Sequence, residues 1–151
     1  MSQQAKAESM DFLLAQICRL HHARAYTLLE ELGLYRGQPP MLFALWEQEG
    51  LTHSELAARL HVTPATITKM IQRMERAGFV ERREDPEDQR VSRVYLTAAG
   101  RAIRGDVQRV WRTLEEETFE GFSAEECRLL LRLFLQMREN LTRVAGEKSR
   151  C

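Results

Sequence analysis

Along most of this chain apolar positions recur at spacings of three and four, the pattern of helices that each bury one face. It predicts helices from about Met10 through Leu32, Pro40 through Gln48, Thr97 through Glu117 and Ser123 through Arg143. Between Leu51 and Gly100 the pattern changes to two short capped helices, then a stretch of period two, then a third cap.

The first short helix begins at Thr52-His53-Ser54-Glu55, a capping box in which the Thr52 hydroxyl accepts the Glu55 amide and the Glu55 carboxylate returns to the Thr52 amide. Its inward face is Leu56, Ala57 and Leu60. The second begins at Thr63-Pro64, a good N-cap followed by a proline in the first turn, where a missing amide hydrogen costs nothing. Only His61-Val62 lies between them, the short turn of a helix-turn-helix, with Val62 as its apolar plug. His61 stands where such turns often place glycine, so a positive φ is expected there. The second helix runs to about Ala77, turns Ile67, Met70, Ile71 and Met74 inward, and stops at Gly78.

Phe79 to Arg83 then reads as a strand, Glu84 to Gln89 as a polar tip around Pro86, and Arg90 to Leu96 as a returning strand. In the last, Val91, Arg93 and Tyr95 alternate with Ser92, Val94 and Leu96. Thr97-Ala98-Ala99-Gly100 caps the next helix, although Gly100 stands where a Glu would complete a capping box. The predicted fold is mainly α with a small β-hairpin wing, a winged helix-turn-helix.

The outer face of the second short helix carries Thr66, Thr68, Lys69, Gln72 and Arg73. Short hydroxyls beside long cations suit a helix lying in a DNA major groove, where they reach phosphates and base edges. Any surface helix is polar outside, so this face alone does not assign a function; the hairpin beside it adds the weight.

In order, Leu56-Ala57 to Leu60, Val62-Thr63, Ile67-Thr68, Met74 to Val80, Asp85 to Arg90 and Leu96 to Arg101 resemble the MarR family of bacterial transcription regulators. The resemblance covers nearly the whole chain; its sharpest parts are Asp88-Gln89-Arg90 and the Leu-Thr-x-x-Gly run that follows. It implies a reading helix in the major groove, which assigns Thr63, Thr66, Thr68, Lys69 and Arg73 to double-stranded DNA. It also implies a wing arginine in the minor groove, here Arg90, with Asp88 as its brace. Arg82, Arg83 and Arg93 are phosphate candidates whose ordinary reading is strand-edge charge, and Arg76 is similarly ambiguous.

Charge tempers this picture, because Lys+Arg and Asp+Glu number 22 each. From Thr52 to Leu96 there are eight basic and seven acidic residues. Any positive face therefore comes from segregation, and binding should rest on a few well-placed contacts and weaken steeply with salt. With 44% hydrophobic residues the chain can bury a real core, and no apolar run approaches a membrane span. Met1 to Ser9 is polar and lacks the order of a secretory signal, so a cytoplasmic location is expected.

The terminal helices carry more apolar surface than one small domain needs. Leu130, Phe134, Met137, Leu141 and Val144, widened by Leu129 and Leu133, form one stripe; Ile103, Val107, Val110 and Leu114 form another. The resemblance assigns residues 1–35 and 101–151 to an intertwined homodimer around a DNA-binding lobe at 36–100, and a two-fold protein implies a pseudo-palindromic site. The alternative is an intramolecular bundle.

Regulators of this family commonly answer a signal, which the resemblance places at the seam between dimer helices and lobe. His21, His22, Tyr26, Tyr35, Met41 and Trp46 cluster there in sequence, of which His22, Tyr26, Tyr35, Met41 and Trp46 are the candidate contacts of a small aromatic or phenolic effector. Aromatic and Met residues at helical spacing also serve simply as core. Cys18 lies on the first helix, where peroxide-sensing members carry a reactive thiol; Arg19 and His22 would favour its thiolate, and packing is the competing reading. Cys127 and Cys151 supply no metal spacing, and His21-His22 diverge by about 100° on a helix, so no metal site is expected. No phosphate loop, nucleophile elbow or carboxylate pair points to an enzyme or to a cofactor. Two other readings stay open: a thiol-based sensor using Cys18, and a winged-helix protein-interaction module without DNA binding.

Overall fold

The computed structural model describes residues 9–148, which fall into two compact units, one ending at Leu114 and one beginning at Glu115. The first contains α1 (Met10–Glu30), α2 (Gln38–Glu47), β1 (Leu51–Thr52), α3 (His53–Leu60), α4 (Pro64–Arg76), β2 (Val80–Glu84) and β3 (Ser92–Leu96). Helix α5 (Ala98–Thr118) follows, and the second unit holds α6 (Ala124–Lys148). Residues 1–8, part of the N-terminal segment read above for location, and Cys151 lie outside the described residues.

Helix starts follow the capping chemistry legible in the sequence. Thr52 accepts the Glu55 amide at 3.2 Å while Glu55 accepts the Thr52 amide at 2.8 Å. Thr63 caps α4 and Ser123 caps α6, the latter with Glu126 closing a second box. Ser9 caps α1 through the Phe12 amide. Helix α2 starts earlier than its pattern suggested, at Gln38 rather than Pro40, because Pro39 and Pro40 both fit a first turn whose amides have no helical partner. His61 closes α3 with φ 54°, and the Val62 amide reaches the Ala57 carbonyl at 3.0 Å.

The sheet has three strands where the pattern foretold a two-stranded hairpin. Leu51 pairs with Val94 and Thr52 with Arg93, so β1 joins the far edge of β3 and the order is β1-β3-β2. A two-residue strand is too short to show period two. Strand β2 begins at Val80 rather than Phe79, whose amide closes α4 on the Met74 carbonyl while Gly78 holds φ 83°. Strand β3 begins at Ser92 because Arg90 and Val91 stay in the turn, with the Val91 amide on the Asp88 carbonyl at 2.9 Å.

The core of the first unit is built from Leu34, Met41, Leu42, Leu45, Leu56, Ile67, Ile71, Met74, Val94 and Val107, all essentially solvent-free. Ile67, Ile71 and Met74 anchor α4, each contributing about 1.5–3 kcal/mol over an exposed position. Met70, Leu60 and Val62 are half-buried against that core.

Gly100 explains the missing capping-box Glu. A Cβ there would fall well inside contact distance of the Phe79 carbonyl oxygen and 3.1 Å from Leu96 Cδ2, so α5 can approach the exit of α4 only with glycine at this position. Around it, Thr97 donates its amide to Phe79 O at 3.0 Å and its hydroxyl to Gly78 O at 2.5 Å. The Trp46 indole donates to Gly100 O at 2.9 Å.

Two apolar stripes that look alike in sequence meet different fates. Ile103, Val107, Val110 and Leu114 of α5 are buried. On α6, Leu129, Leu133, Phe134, Met137, Leu141 and Val144 are exposed, as are Met10, Phe12, Leu13, Ile17 and Leu20 of α1.

Candidate nucleic-acid interface

Helix α4 turns its buried face to the core and leaves Thr63, Thr66, Lys69, Gln72 and Arg73 exposed. Thr66, Lys69 and Arg73 share one outward stripe, being three and seven residues apart. The Thr63 oxygen accepts the Thr66 amide at 3.2 Å and donates to the Thr66 hydroxyl oxygen at 2.9 Å. Thr68 is half-buried and donates to the Pro64 carbonyl at 3.0 Å. Among the described residues neither Lys69 nor Arg73 joins an ion pair, so both cations face solvent uncompensated.

The wing arginines divide sharply by environment. Arg82 pairs with Glu75 at 2.8 Å, and Arg83 pairs with Glu81 while its guanidinium lies 4.4 Å above the Tyr95 ring. Arg93 places Nε on Asp85 Oδ2 at 2.6 Å and Nη1 on the Gly50 carbonyl at 2.8 Å, with Glu55 at 3.9 Å. Arg90 is different: its side chain is 91% exposed at the wing tip. Its Nε and Nη2 meet the two oxygens of Asp88 at 3.1 and 3.3 Å, and its amide meets Asp88 Oδ1 at 3.1 Å. Those contacts, the guanidinium foremost, hold the Asp88 carboxyl below the ordinary carboxylate range.

Asp85 is the one residue of this site that sequence reasoning missed. It is the only buried charged side chain among the described residues, and its Oδ1 accepts the amides of Glu87 at 2.8 Å and Asp88 at 3.4 Å. The Glu87 amide, then the Arg93 guanidinium, hold its carboxyl below the usual range. Asp followed by Pro at a turn start is the signal that could have found it, since such a carboxylate folds back on the amide two residues on. His53, at the start of α3, is depressed by burial and by the charge of Arg82, and its buried Nε2 has no hydrogen-bond partner.

The proposed effector residues are not gathered in one place. His22 and Tyr26 have ring centroids 6.2 Å apart, and the Arg36 guanidinium lies 5.1 Å from the Tyr26 ring. Tyr35 is exposed and Met41 is wholly within the core. Trp46 belongs to another cluster with Phe43, 5.4 Å away edge-on, and Phe43 in turn lies 5.9 Å from Trp111. That cluster lines a cavity of about 180 Å³ with Glu47, Arg104, Val107 and Gln108. Cys18 is exposed on α1. Among the described residues no three His, Cys, Asp or Glu side chains converge as metal ligands, and no helix is long and apolar enough to cross a membrane.

Known proteins share this arrangement of helices and wing. The transcriptional regulator HosA of Escherichia coli O111:H- is 32% identical over 82% of this chain and 90% of its own length. The HTH-type transcriptional regulator TtmR of Methylorubrum extorquens (strain PA1) is 36% identical over 82% of this chain, which spans 63% of TtmR. Among solved structures, a cysteine-to-serine mutant of MarR from E. coli complexed with operator DNA shares the fold, with a TM-score of 0.72 and 23% identity over 91% of this chain and 99% of that one. Residues 34–92, from the middle of the α1–α2 loop through the start of β3, match the MarR family model. With its winged helix-turn-helix and these relatives, the chain belongs to the MarR family of transcriptional regulators.

Proposed function

We propose that this chain regulates transcription by binding double-stranded DNA sequence-specifically, as a homodimer on a pseudo-palindromic promoter site, and that it acts as a repressor released by a small molecule or an oxidant. The observation that carries the reading is the contrast in exposure among its paired arginines: the side chains of Arg82, Arg83 and Arg93 are 41, 56 and 35% exposed, whereas Arg90, held by Asp88 at the wing tip, is 91% exposed. Lys69 and Arg73 of α4, exposed and in no ion pair among the described residues, stand with it. Thr63, Thr66 and Thr68 contribute hydroxyls to the same helix start, and Asp88 aims Arg90. A nearly neutral lobe with so few outward cations suits a binder that depends on placement and is sensitive to salt. The operator-bound MarR structure supports the same use of the fold.

The exposed apolar side chains of α1 and of α6 support the homodimer, because so many large apolar groups on one helix are rarely left to water. The cavity lined by Phe43, Trp46 and Trp111, with Arg104 and Glu47 at its wall, supports a small aromatic effector. The exposure of Cys18 keeps the oxidant reading in view. As a regulator working on the chromosome, the protein is assigned to the cytoplasm.

The test is selection of duplexes from a random pool by the full chain, followed by fluorescence anisotropy on the selected site. Specific binding that weakens with salt, at least tenfold loss in Lys69→Ala and Arg90→Ala, and a two-fold symmetric consensus are expected. Selection of no duplex would instead favour a protein-interaction module. Sedimentation should give a dimer that Phe134→Glu dissociates. Release by phenolic acids, or by hydroperoxide in wild type but not in Cys18→Ser, separates the two signals.

A further inference from the structure

We propose that Asp85 and Arg93 are positioning residues for minor-groove recognition, a buried brace that carries the rigidity of the helix-turn-helix scaffold out to Arg90, a role that rests on the DNA-binding reading above. Arg93 holds the Gly50 carbonyl at 2.8 Å and lies 3.9 Å from Glu55, the residue that closes the α3 capping box. Its Nε is bound to Asp85 Oδ2 at 2.6 Å. The other oxygen of Asp85 takes the amides of Glu87 and Asp88, and the Asp85 amide reaches the Val91 carbonyl at 2.8 Å. Asp88 in turn accepts the amide and the guanidinium of Arg90. Hydrogen bonds thus link the Gly50 carbonyl, two residues before the α3 cap, through Arg93, Asp85 and Asp88 to an arginine that is itself almost wholly in solvent.

The physical need is clear from the loop. Residues 85–91 lie between β2 and β3 and have no strand partners, so without internal support they would sample many shapes and lose that freedom on binding. Asp85 supplies the support by satisfying two loop amides with one buried carboxylate, and the scaffold-bound guanidinium of Arg93 neutralises that charge. Arg93 is correspondingly a poor phosphate ligand, since its side chain is two-thirds shielded and flanked by two carboxylates. Arg90 can reach a groove; Arg93 decides where it points.

The experiment is a double-mutant cycle on full-length protein, using the selected duplex with its wing-facing flanks either A·T or G·C. Asp85→Asn should weaken binding about tenfold and abolish any preference for A·T flanks, while Lys69→Ala keeps that preference. In an Arg90→Ala background, Asp85→Asn should cost less than about twofold more, because its effect passes through Arg90. Equal losses in both backgrounds would overturn the positioning role while leaving the DNA-binding reading intact. Arg90→Ala binding as tightly as wild type would overturn the positioning role together with the Arg90 contact, and selection of no duplex at all would overturn the DNA-binding reading as well. Should Asp85→Asn not fold, Arg93→Lys tests the same brace: it keeps the charge but lacks the fork that holds Asp85 and Gly50 together, and it should show the same coupling to Arg90.

Discussion

Replacing Gly100 by alanine adds one methyl group to the first turn of a helix, which ordinarily stabilises; here it should destabilise. The added carbon meets the Phe79 carbonyl oxygen well inside contact distance and Leu96 Cδ2 at 3.1 Å. Restoring a normal separation of roughly 3.5 Å needs a movement of about 1.4 Å in the backbone of either α5 or the α4 exit. Neither is loose, because Thr97 ties its amide to Phe79 and its hydroxyl to Gly78, and Trp46 holds the Gly100 carbonyl. Overpacking of this kind costs about 1–3 kcal/mol, and loss of two of the three hydrogen bonds adds about 1 kcal/mol each. Alanine returns about 1 kcal/mol of helix propensity, so the net expectation is a loss of about 2–4 kcal/mol. Gly105, in the same helix with nothing within 4 Å of its virtual Cβ, is the control, and Gly105→Ala should gain about 0.5–1 kcal/mol. Urea unfolding at fixed protein concentration, followed by far-ultraviolet circular dichroism and tryptophan emission, measures both. A Gly100→Ala protein as stable as wild type, or midpoints that shift in the same direction for both variants, would refute the close-approach argument.

Three further outcomes follow from caps and titrations. Thr52→Ala removes the acceptor for the Glu55 amide and should cost about 1 kcal/mol, whereas Ser54→Ala, exposed and outside the box, should stay within about 0.5 kcal/mol in the same urea assay. His53 has a folded pKa below 6.5, so its contribution to stability is complete above pH 6.5 and declines as the pH falls below that value, where unfolded chains bind the proton first. The urea midpoint should therefore drop between pH 7.5 and 5.5 and do so less in His53→Asn; identical profiles would contradict this. Asp85 has a folded pKa below 3.8, so its contribution is present above about pH 3.8 and is lost as the pH falls through the lower folded value. A carboxyl resonance titrating at or above 3.8 by nuclear magnetic resonance would count against the brace.

Local rules carried much of the fold into the sequence. Thr52, Thr63 and Ser123 announce helix starts through short-range chemistry, and His61 and Gly78 announce helix ends, because capping needs only residues a turn apart. Strand β1 was not legible, since two residues show no period and its pairing with β3 depends on a partner distant in sequence. The functional surface divides in the same way. The outward stripe of Thr66, Lys69 and Arg73 follows from helical spacing, and the pairing of Asp88 with Arg90 is a contact between near neighbours. Arg93 reads in sequence as a phosphate candidate or strand-edge charge and Asp85 as part of a turn, until the contact of Arg93 with Gly50 is seen.

By itself, then, the sequence determined the order of helices, the caps that delimit them, the helix-turn-helix and the hairpin beside it, because each depends on interactions within about one turn or one strand pair. Tertiary structure alone decided which arginines are spent and which remain. It buried Asp85, excluded a side chain at Gly100, and covered the apolar stripe of α5 while leaving those of α1 and α6 open. The contacts of Arg93 with Gly50 and of Gly100 with Phe79 join residues far apart in sequence, and composition and periodicity are the same for a buried stripe as for one that awaits a partner.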